Sequence, residues 1–331
     1  MNLIKLGALA MAGLLAFATA AHGQETRLFV DDQGHEVTIP VSPQRIVSLR
    51  GEQFTAPLYE LGANLVGSSG LVNEAVNGGR PYVRGAYDAL DFRFEESGVT
   101  WVGSPNDHDY EAISAVEPDL IIIPDFASDD YDRLSLIAPT VVLQVWGQDM
   151  LDMYAKVADL ADREDTFARL SARYAERLDR ARQTLAETVG DTSTISVAVA
   201  SAFEDRISVY RDYGTLGQVL RDLGFSMPAI IAGMEEANAN LSLELLPQID
   251  ADFMIDTYWT ARNQSPTQKL EAWDAALPGW REILHAGRHN QVFMVNREEM
   301  RAVSFQALRS VLDIIVSQVG TRDFVPLTPS S

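Results

Sequence analysis

Arginine and aromatic residues keep company at one recurring kind of position in this chain, just after short apolar runs. Arg50 follows Arg45-Ile-Val-Ser-Leu49, the loop Tyr82-Val-Arg84-Gly-Ala-Tyr87 carries three more such residues, and Phe126 follows Leu120–Ile123. Further on come Phe203, Tyr210 with Arg211, Tyr258-Trp259 with Arg262, and Arg297 with Arg301. A guanidinium offers a planar fork of N–H donors to carboxylate, hydroxamate or catecholate oxygens, and it stays charged when partly desolvated. Aromatic faces cover flat apolar surfaces. Together these are the makings of a site for an anionic, partly apolar ligand. Singly, each is more often a solvated loop arginine or an aromatic at a core edge.

Catalytic chemistry finds less support. The chain has no G-x-G-x-x-G, P-loop, G-x-S-x-G or H-E-x-x-H, and with no cysteine it has no thiol nucleophile. His285 and His289 have the i,i+4 spacing of two ligands on one helix, but Gly287 between them points to a solvated helix terminus. His108, in Asp107-His-Asp109, could hold a cation; an acid capping the helix at Tyr110 explains the cluster as well. A secreted doubly wound enzyme working through Asp and Glu pairs remains an alternative, although no motif sets two carboxylates on one catalytic element.

The elements that must position these side chains alternate. Leu28–Val30 and Val37–Ile39 flank a Gly-containing turn and read as a hairpin. Short apolar strands then alternate with helices at Phe54–Leu61, Tyr110–Val116, Leu151–Ala161, Leu216–Leu223, Leu243–Ile249, Trp280–Ala286 and Ser304–Val319, while 68–100 reads as loops. This grammar predicts α/β lobes with mainly parallel sheets flanked by helices. Ligands of open parallel sheets bind beyond the carboxyl ends of the strands, where the arginines and aromatics stand.

Between the two halves lies the longest amphipathic pattern. Phe167, Leu170, Tyr174, Leu178, Ala181 and Leu185 fall on one helical face, with Asp165 as N-cap, Gly190 as stop, and Asp165–Arg169 and Glu176–Arg180 as i,i+4 pairs. One long helix, 166–188, should therefore join an N-terminal lobe, 24–165, to a C-terminal lobe, 189–331. A weak repeat crosses it: Glu111 and Glu244 each stand eight positions before an aspartate, Asp119 and Asp252, that opens an apolar strand.

The N-terminus has Lys5, an apolar run Leu6–Ala18 and Ala21-His-Gly23, which predicts a cleaved secretory signal peptide over 1–23, with Ala18-Thr-Ala20 as an alternative cleavage site. The 331 residues include no cysteine, so no lipidated N-terminal Cys is available. A periplasmic protein, not a lipoprotein, is expected. Loss of Lys5 takes the formal charge from −21 to −22, which argues against nucleic acid or anionic lipid as partners.

The sequence resembles the periplasmic substrate-binding proteins of ABC importers for ferric siderophores, haem and cobalamin, the class joined by a helical backbone. The resemblance is carried by Val37-Thr-Ile-Pro40, Pro43-Gln-Arg-Ile-Val47, Glu60-Leu-Gly-Ala63, Trp101-Val-Gly103, Glu111 to Ile123 and Ile137-Ala-Pro-Thr140. In the second half it is carried by Leu220 to Phe225, Glu244 to Ile255, and Trp280 to Val295. It implies a monomeric, non-enzymatic clamp whose interlobe cleft takes an Fe(III)-siderophore complex, with no other cofactor and no direct metal ligand. It further implies that Glu111 and Glu244 dock on a dimeric ABC permease in the inner membrane. Haem or cobalamin is the alternative cargo, and Tyr82, Tyr87, Tyr210 or Tyr258 could then ligate iron. The family's pre-helix arginine is missing here, where Ser104-Pro-Asn-Asp107 stands.

Overall fold

The computed structural model describes residues 24–328; the signal-peptide expectation lies outside them. Strands β1 (Thr26–Val30) and β2 (Glu36–Pro40) pair as an antiparallel hairpin. Five strands then build the first sheet: β3 (Ile46–Ser48), β4 (Leu65–Ser68), β5 (Thr100–Trp101), β6 (Leu120–Pro124) and β7 (Thr140–Leu143). Their order is β7-β6-β3-β4-β5, every pair parallel. β6 reads Leu-Ile-Ile-Ile-Pro and is buried throughout, as a strand covered on both faces should be. Helices α1 (Ala56–Glu60), α2 (Tyr110–Ala115) and α3 (Met150–Leu160) belong to this lobe.

Helix α4 (Glu164–Thr188) joins the lobes over about 37 Å at the helical rise. It buries Tyr174, Leu178, Ala181 and Leu185, the face its periodicity marks, and Gly190 at φ +90° ends it. Its charges behave otherwise than expected. Asp165 lies in the first turn and not at the cap, because the helix starts earlier, with Arg163 at the cap position. The expected i,i+4 pairs do not form; Arg182 pairs Asp179 at 3.4 Å instead, and both are exposed enough for the pair to matter little.

The second sheet has β8 (Val197–Ala202), β9 (Ile207–Tyr210), β10 (Asn238–Leu241), β11 (Phe253–Tyr258) and β12 (Val292–Asn296), in the order β10-β9-β8-β11-β12. Here β8, β11 and β12 are parallel, but β9 runs antiparallel to both its neighbours. Helices α5 (Gly214–Asp222), α6 (Pro266–Ala276) and α7 (Phe305–Gly320) complete the lobe. The expected helix at Leu243–Ile249 is a 3-10 turn with Pro247 inside it, and Trp280–Ala286 is broken where Leu284 turns extended. The stretch 68–100 is not merely loop: it holds a short hairpin, Leu71–Val72 with Pro81–Tyr82, and helical turns at Glu74–Asn77, Ala86–Ala89 and Phe94–Ser97. Fully buried Phe92, edge-on to both Tyr59 and Phe94, gives that stretch a small core of its own.

The larger core is continuous between the lobes. Tyr154 of α3 and Phe167 of α4 meet Phe305 of α7 at ring separations of 5.1 and 5.7 Å. Glu60, at the end of α1, accepts the N–H groups of Phe305 at 2.7 Å and Gln306 at 2.8 Å, while Ser304 accepts that of Ala307 at 3.0 Å. A carboxylate from the first lobe thus caps the closing helix of the second, where unpaired donors and the helix dipole favour negative charge.

Candidate functional site

The first half of the site begins where β3 ends. Thr55 bonds Ser48 at 2.8 Å and Ser68 at 2.6 Å, tying the π-helical turn Gly51–Thr55 to the ends of β3 and β4. Gly51 must be glycine for packing: a Cβ there would lie 2.9 Å from the Val83 side chain. That close approach sets Tyr82-Val83-Arg84 against the turn. Glu52, 3% exposed, receives Arg50 Nη2 at 2.9 Å and Arg84 Nε at 2.5 Å. Arg50 Nε donates to Gln53 at 2.6 Å, and its guanidinium lies 5.2 Å from the exposed Phe126 ring.

The second half rises from the ends of β11 and β12. Asn296 accepts the Glu298 N–H at 3.2 Å and starts a single helical turn, Arg297–Met300. Arg297 lies 4.8 Å from the Trp259 ring and 5.6 Å from Tyr213, and Arg262 lies 4.0 Å from Trp259 on the outside. Tyr213 is held by a 3.0 Å bond between its hydroxyl and Thr257. Arg301 lies over Tyr213 and reaches across the cleft to Glu52 at 3.8 Å.

The electrostatics follow from burial and these partners. Burial by itself would push the Glu52 carboxyl up, but the guanidiniums of Arg301, Arg84 and Arg50 outweigh it and hold it at about 2. Burial pulls Arg84 down, yet Glu52 and Glu298 leave it raised; Arg50 is lowered by burial despite Glu52. Glu298 is 1% exposed, with the Trp259 side chain near enough to favour its ionised form. Burial raises it, with Arg84 opposing and Glu52 adding to the rise. Tyr82 is pushed up to about 12, first by burial and then by Glu298. Tyr213 is likewise pushed to about 12, by burial against the pull of Arg297. Phenolate at either position is disfavoured, which weakens them as iron ligands.

Of the residues singled out in sequence, Arg50, Tyr82, Arg84, Trp259, Arg297 and Arg301 are brought together, with Phe126 and Arg262 at the rim. Tyr87 stands behind Tyr82, edge-on at 5.9 Å, with its hydroxyl on Asn77 at 3.1 Å and Arg93 over its ring. Tyr258 is half-buried, its hydroxyl raised by burial and Glu299. Phe203 stands at the carboxyl end of β8, but its cations are Arg206 and Lys269, at 4.7 and 4.9 Å. Arg211 is displaced because β9 is antiparallel, whereas Tyr210, opposite Val199, stays against the site with its ring edge-on to Tyr213 at 4.6 Å. Arg211 donates to the Glu235 carbonyl at 3.1 Å and borders a second void of ≈ 10 Å³, which Tyr210 and Tyr213 also line. Glu52, Tyr213 and Glu298 were not singled out.

The lobes touch across this cluster. Gly85, at φ +81°, lies so close to Ala302 that a Cβ would stand 2.8 Å from its Cα. The void among Arg50, Glu52, Ser69, Tyr82, Arg84 and Pro105 is only ≈ 20 Å³, room for a water and not for a chelate. Among the described residues no group of three or more His, Asp or Glu could hold a metal ion. His285 is buried and bonded to the Val325 carbonyl at 2.7 Å, so it is not the solvated terminus expected. Glu111 and Glu244 are both exposed in the first turn after a capping residue, Asp109 and Ser242 respectively, and neither forms an ion pair among the described residues.

Residues 57–298 match the family model for periplasmic binding proteins. The iron(3+)-hydroxamate-binding protein YxeB of Bacillus subtilis (strain 168) is 25% identical over 311 residues, covering 92% of this chain and 88% of the relative. The probable siderophore-binding lipoprotein YfiY of the same organism is 29% identical over 257 residues, covering 74% and 73%. The crystal structure of Staphylococcus aureus SirA complexed with staphyloferrin B superposes with a TM-score of 0.73 at 19% identity, over 89% of this chain and 98% of that one.

Proposed function

The chain belongs to the periplasmic binding protein family, and on that premise we propose that it binds a ferric siderophore between its lobes and delivers it to an ABC importer. The observation that carries this reading is the convergence of Arg50 and Arg84 from one lobe with Arg297 and Arg301 from the other, around Tyr82, Tyr213 and Trp259. Hard Fe³⁺ wrapped by a chelator has its oxygens satisfied, so what the protein must supply is shape, N–H donors and aromatic surface. The named relatives, described as binding iron(3+)-hydroxamate and as a probable siderophore binder, support the same reading. The chain acts as a carrier and performs no chemistry on its cargo.

The lobes, 24–165 and 189–331 about the helix, part at the Gly85–Ala302 contact to admit the ligand while the shared core stays intact. Glu111 and Glu244 then present one carboxylate per lobe to basic pockets of a permease dimer. Release from a signal peptide cleaved after Gly23 leaves a monomer in the periplasm, without lipid, since no cysteine is present to carry one. No described helix is long and apolar enough to cross a membrane.

Titration of the mature protein with ferric and iron-free chelators, read by the fluorescence of its five tryptophans, tests the reading. Ferric siderophore should quench the emission, and Trp259→Phe should remove much of the signal. Absence of quenching by every ferric siderophore, with haemin giving a tight Soret shift instead, would overturn it. For docking, Glu111→Ala combined with Glu244→Ala should abolish uptake in cells while the binding titration is unchanged. Normal uptake by that double variant removes the docking role.

A further inference from the structure

Resting on the siderophore reading, we propose that Trp146 is a cargo-contacting residue, and that with Phe126 it extends the site along the first sheet, from the guanidiniums to the end of β7. The strand order β7-β6-β3 sets three loops side by side at the carboxyl ends. Arg50 follows β3, Phe126 stands just past β6, and Trp146 just past β7. Neighbouring strands lie about 4.8 Å apart, so the end of β7 is roughly 10 Å from that of β3. The Asp125 carboxylate accepts the Val145 N–H at 3.2 Å and so ties the Phe126 loop to the Trp146 loop. On its other flank Phe126 carries the Arg50 guanidinium, 5.2 Å from its ring.

The Trp146 loop also runs along the junction of the lobes. It ends where Asp149 starts α3 by accepting the Leu151 N–H at 2.8 Å, and there the Met150 sulfur lies 3.8 Å from the Thr215 hydroxyl of α5. Thr215 in turn donates to the Ala302 carbonyl, beside the Gly85 contact. Tyr210 and Tyr213 lead into α5 from the second lobe.

The side chain itself points to a ligand. Trp146 is 47% exposed and Phe126 48%, whereas Trp273 and Trp280 are buried. Two large aromatic rings left in water on linked loops, at the ligand end of a parallel sheet, mark a contact surface. The backbone beneath Trp146 is fixed nonetheless. Asp32 accepts the Gln144 N–H at 2.8 Å, the Gln144 amide donates to the Trp146 carbonyl at 2.6 Å, and Gly147 turns the chain at φ +79°. The Trp146 indole N–H forms no hydrogen bond among the described residues, while those of Trp101, Trp273 and Trp280 donate to Gly70, Asp256 and Asp274. A held loop that presents a bare ring and an open donor fits the outer face of a chelate, with its apolar linkers and its oxygen acceptors.

The test uses the mature protein with ferrichrome, ferrioxamine B and ferric enterobactin, and with their gallium(III) forms for footprinting. Hydroxyl-radical footprinting read by mass spectrometry should show oxidation of Trp146 and Phe126 reduced about fivefold by a saturating gallium chelate. Leu136, 88% exposed before the start of β7, should be unchanged. For the chelate that wild type binds best, Trp146→Ala should weaken affinity about tenfold, chiefly through faster dissociation, and Trp146→Phe should restore most of it. Leu136→Ala should leave affinity as it is. The melting midpoint of unliganded Trp146→Ala should stay within about 2 °C of wild type, since the ring lies outside the core. Binding by wild type without protection of Trp146, or full affinity in Trp146→Ala, overturns the inference and leaves the siderophore reading standing. Loss of uptake in cells by Trp146→Ala at unchanged affinity overturns it too, and assigns the ring to the permease instead. If none of the three chelates binds, the siderophore reading fails and the inference falls with it.

Discussion

Two buried carboxylates near strand ends, Glu52 in the first lobe and Asp256 in the second, are built oppositely. Glu52 in the first lobe sits among three guanidiniums, one of them from the other lobe. Asp256 in the second is enclosed within its own lobe: it accepts from Ser201, from the Trp273 indole at 2.6 Å and from the Thr257 N–H at 2.6 Å, with Lys269 3.5 Å away. Burial raises both. In Glu52 the cations reverse the shift and bring it to about 2, whereas in Asp256 burial prevails over Lys269 and the hydrogen bonds, and the pKa stays above 3.8. The cleft therefore holds its carboxylate as an anion, while the lobe interior tolerates ionisation at a penalty.

Acid should separate the two. Glu52 is depressed in the folded state from an ordinary 4.5, so its contribution is fully present above pH 4.5 and is lost as pH falls toward 2. The shift corresponds to roughly 3 kcal/mol. Asp256 is raised, so its ionisation opposes folding at higher pH and that penalty disappears as pH drops below 3.8. Urea unfolding at pH 7, 4 and 2.5 should show Glu52→Gln destabilised by roughly 3 kcal/mol at neutral pH and nearly level with wild type at the acid end. Asp256→Asn should leave the acid limb in place. An acid limb that survives Glu52→Gln would end the contrast.

The lobes also share a unit whose parts do equal work at unequal depth. Asp119 accepts the backbone N–H groups of Gln44 at 2.7 Å and Arg45 at 2.9 Å, just before β3. Asp252 accepts those of Ser196 at 2.7 Å and Leu327 at 2.6 Å, beside the start of β8. Each pins the neighbouring parallel strand at its amino end, the physical reason an aspartate opens the strand in both copies. Asp252 is 4% exposed and Asp119 is half-buried. Asp252→Ala should therefore cost about 3 kcal/mol and Asp119→Ala about half that, read from denaturant midpoints. Equal losses would mean that depth does not set the difference.

That repeat was legible because its aspartates answer a local need of the backbone, and the joining helix was legible because its apolar face follows one period. The cleft was only partly so. Arg50, Arg84, Arg297 and Arg301 could be picked out from their place after strands, but Glu52 stands in a turn that reads as polar and solvated. Only the fold brings Arg84 and Arg301 to it. Arg211 was misplaced because a strand pattern carries no direction. A signal for the true direction was present: only Phe203–Arg206 separate β8 from β9, too few residues for a parallel crossover. Tyr213, past the end of that strand, had no pattern to mark it and becomes part of the site only by its bond to Thr257.

The two faces of the interlobe junction give a further contrast. On the core side Glu60 joins the lobes by capping α7, and Glu60→Ala should cost about 2 kcal/mol, since two helix N–H groups and the Tyr154 hydroxyl at 2.7 Å lose an ionised acceptor. Loss of that cap should lower the melting midpoint without changing the order of ligand affinities.

On the cleft side the junction is only a contact. Gly85 combines a left-handed backbone with a neighbour, Ala302, too near for any side chain. Gly85→Ala should cost about 1 kcal/mol through the strained φ. The added methyl should also push the segment off Ala302, because yielding at a contact between lobes is easier than distorting the packed core behind it. The expected outcome is a small rise in the radius of gyration of the unliganded protein by solution scattering, with faster association of ferric chelate because the cleft begins partly parted. A change of less than a few ångströms is expected, since α4 and α7 resist bending and the aromatic cluster around Phe305 spans both lobes. Unchanged scattering and association in a variant that still folds would place the opening motion elsewhere. Large expansion would mean that the shared core, and not the cleft contact, is what yields.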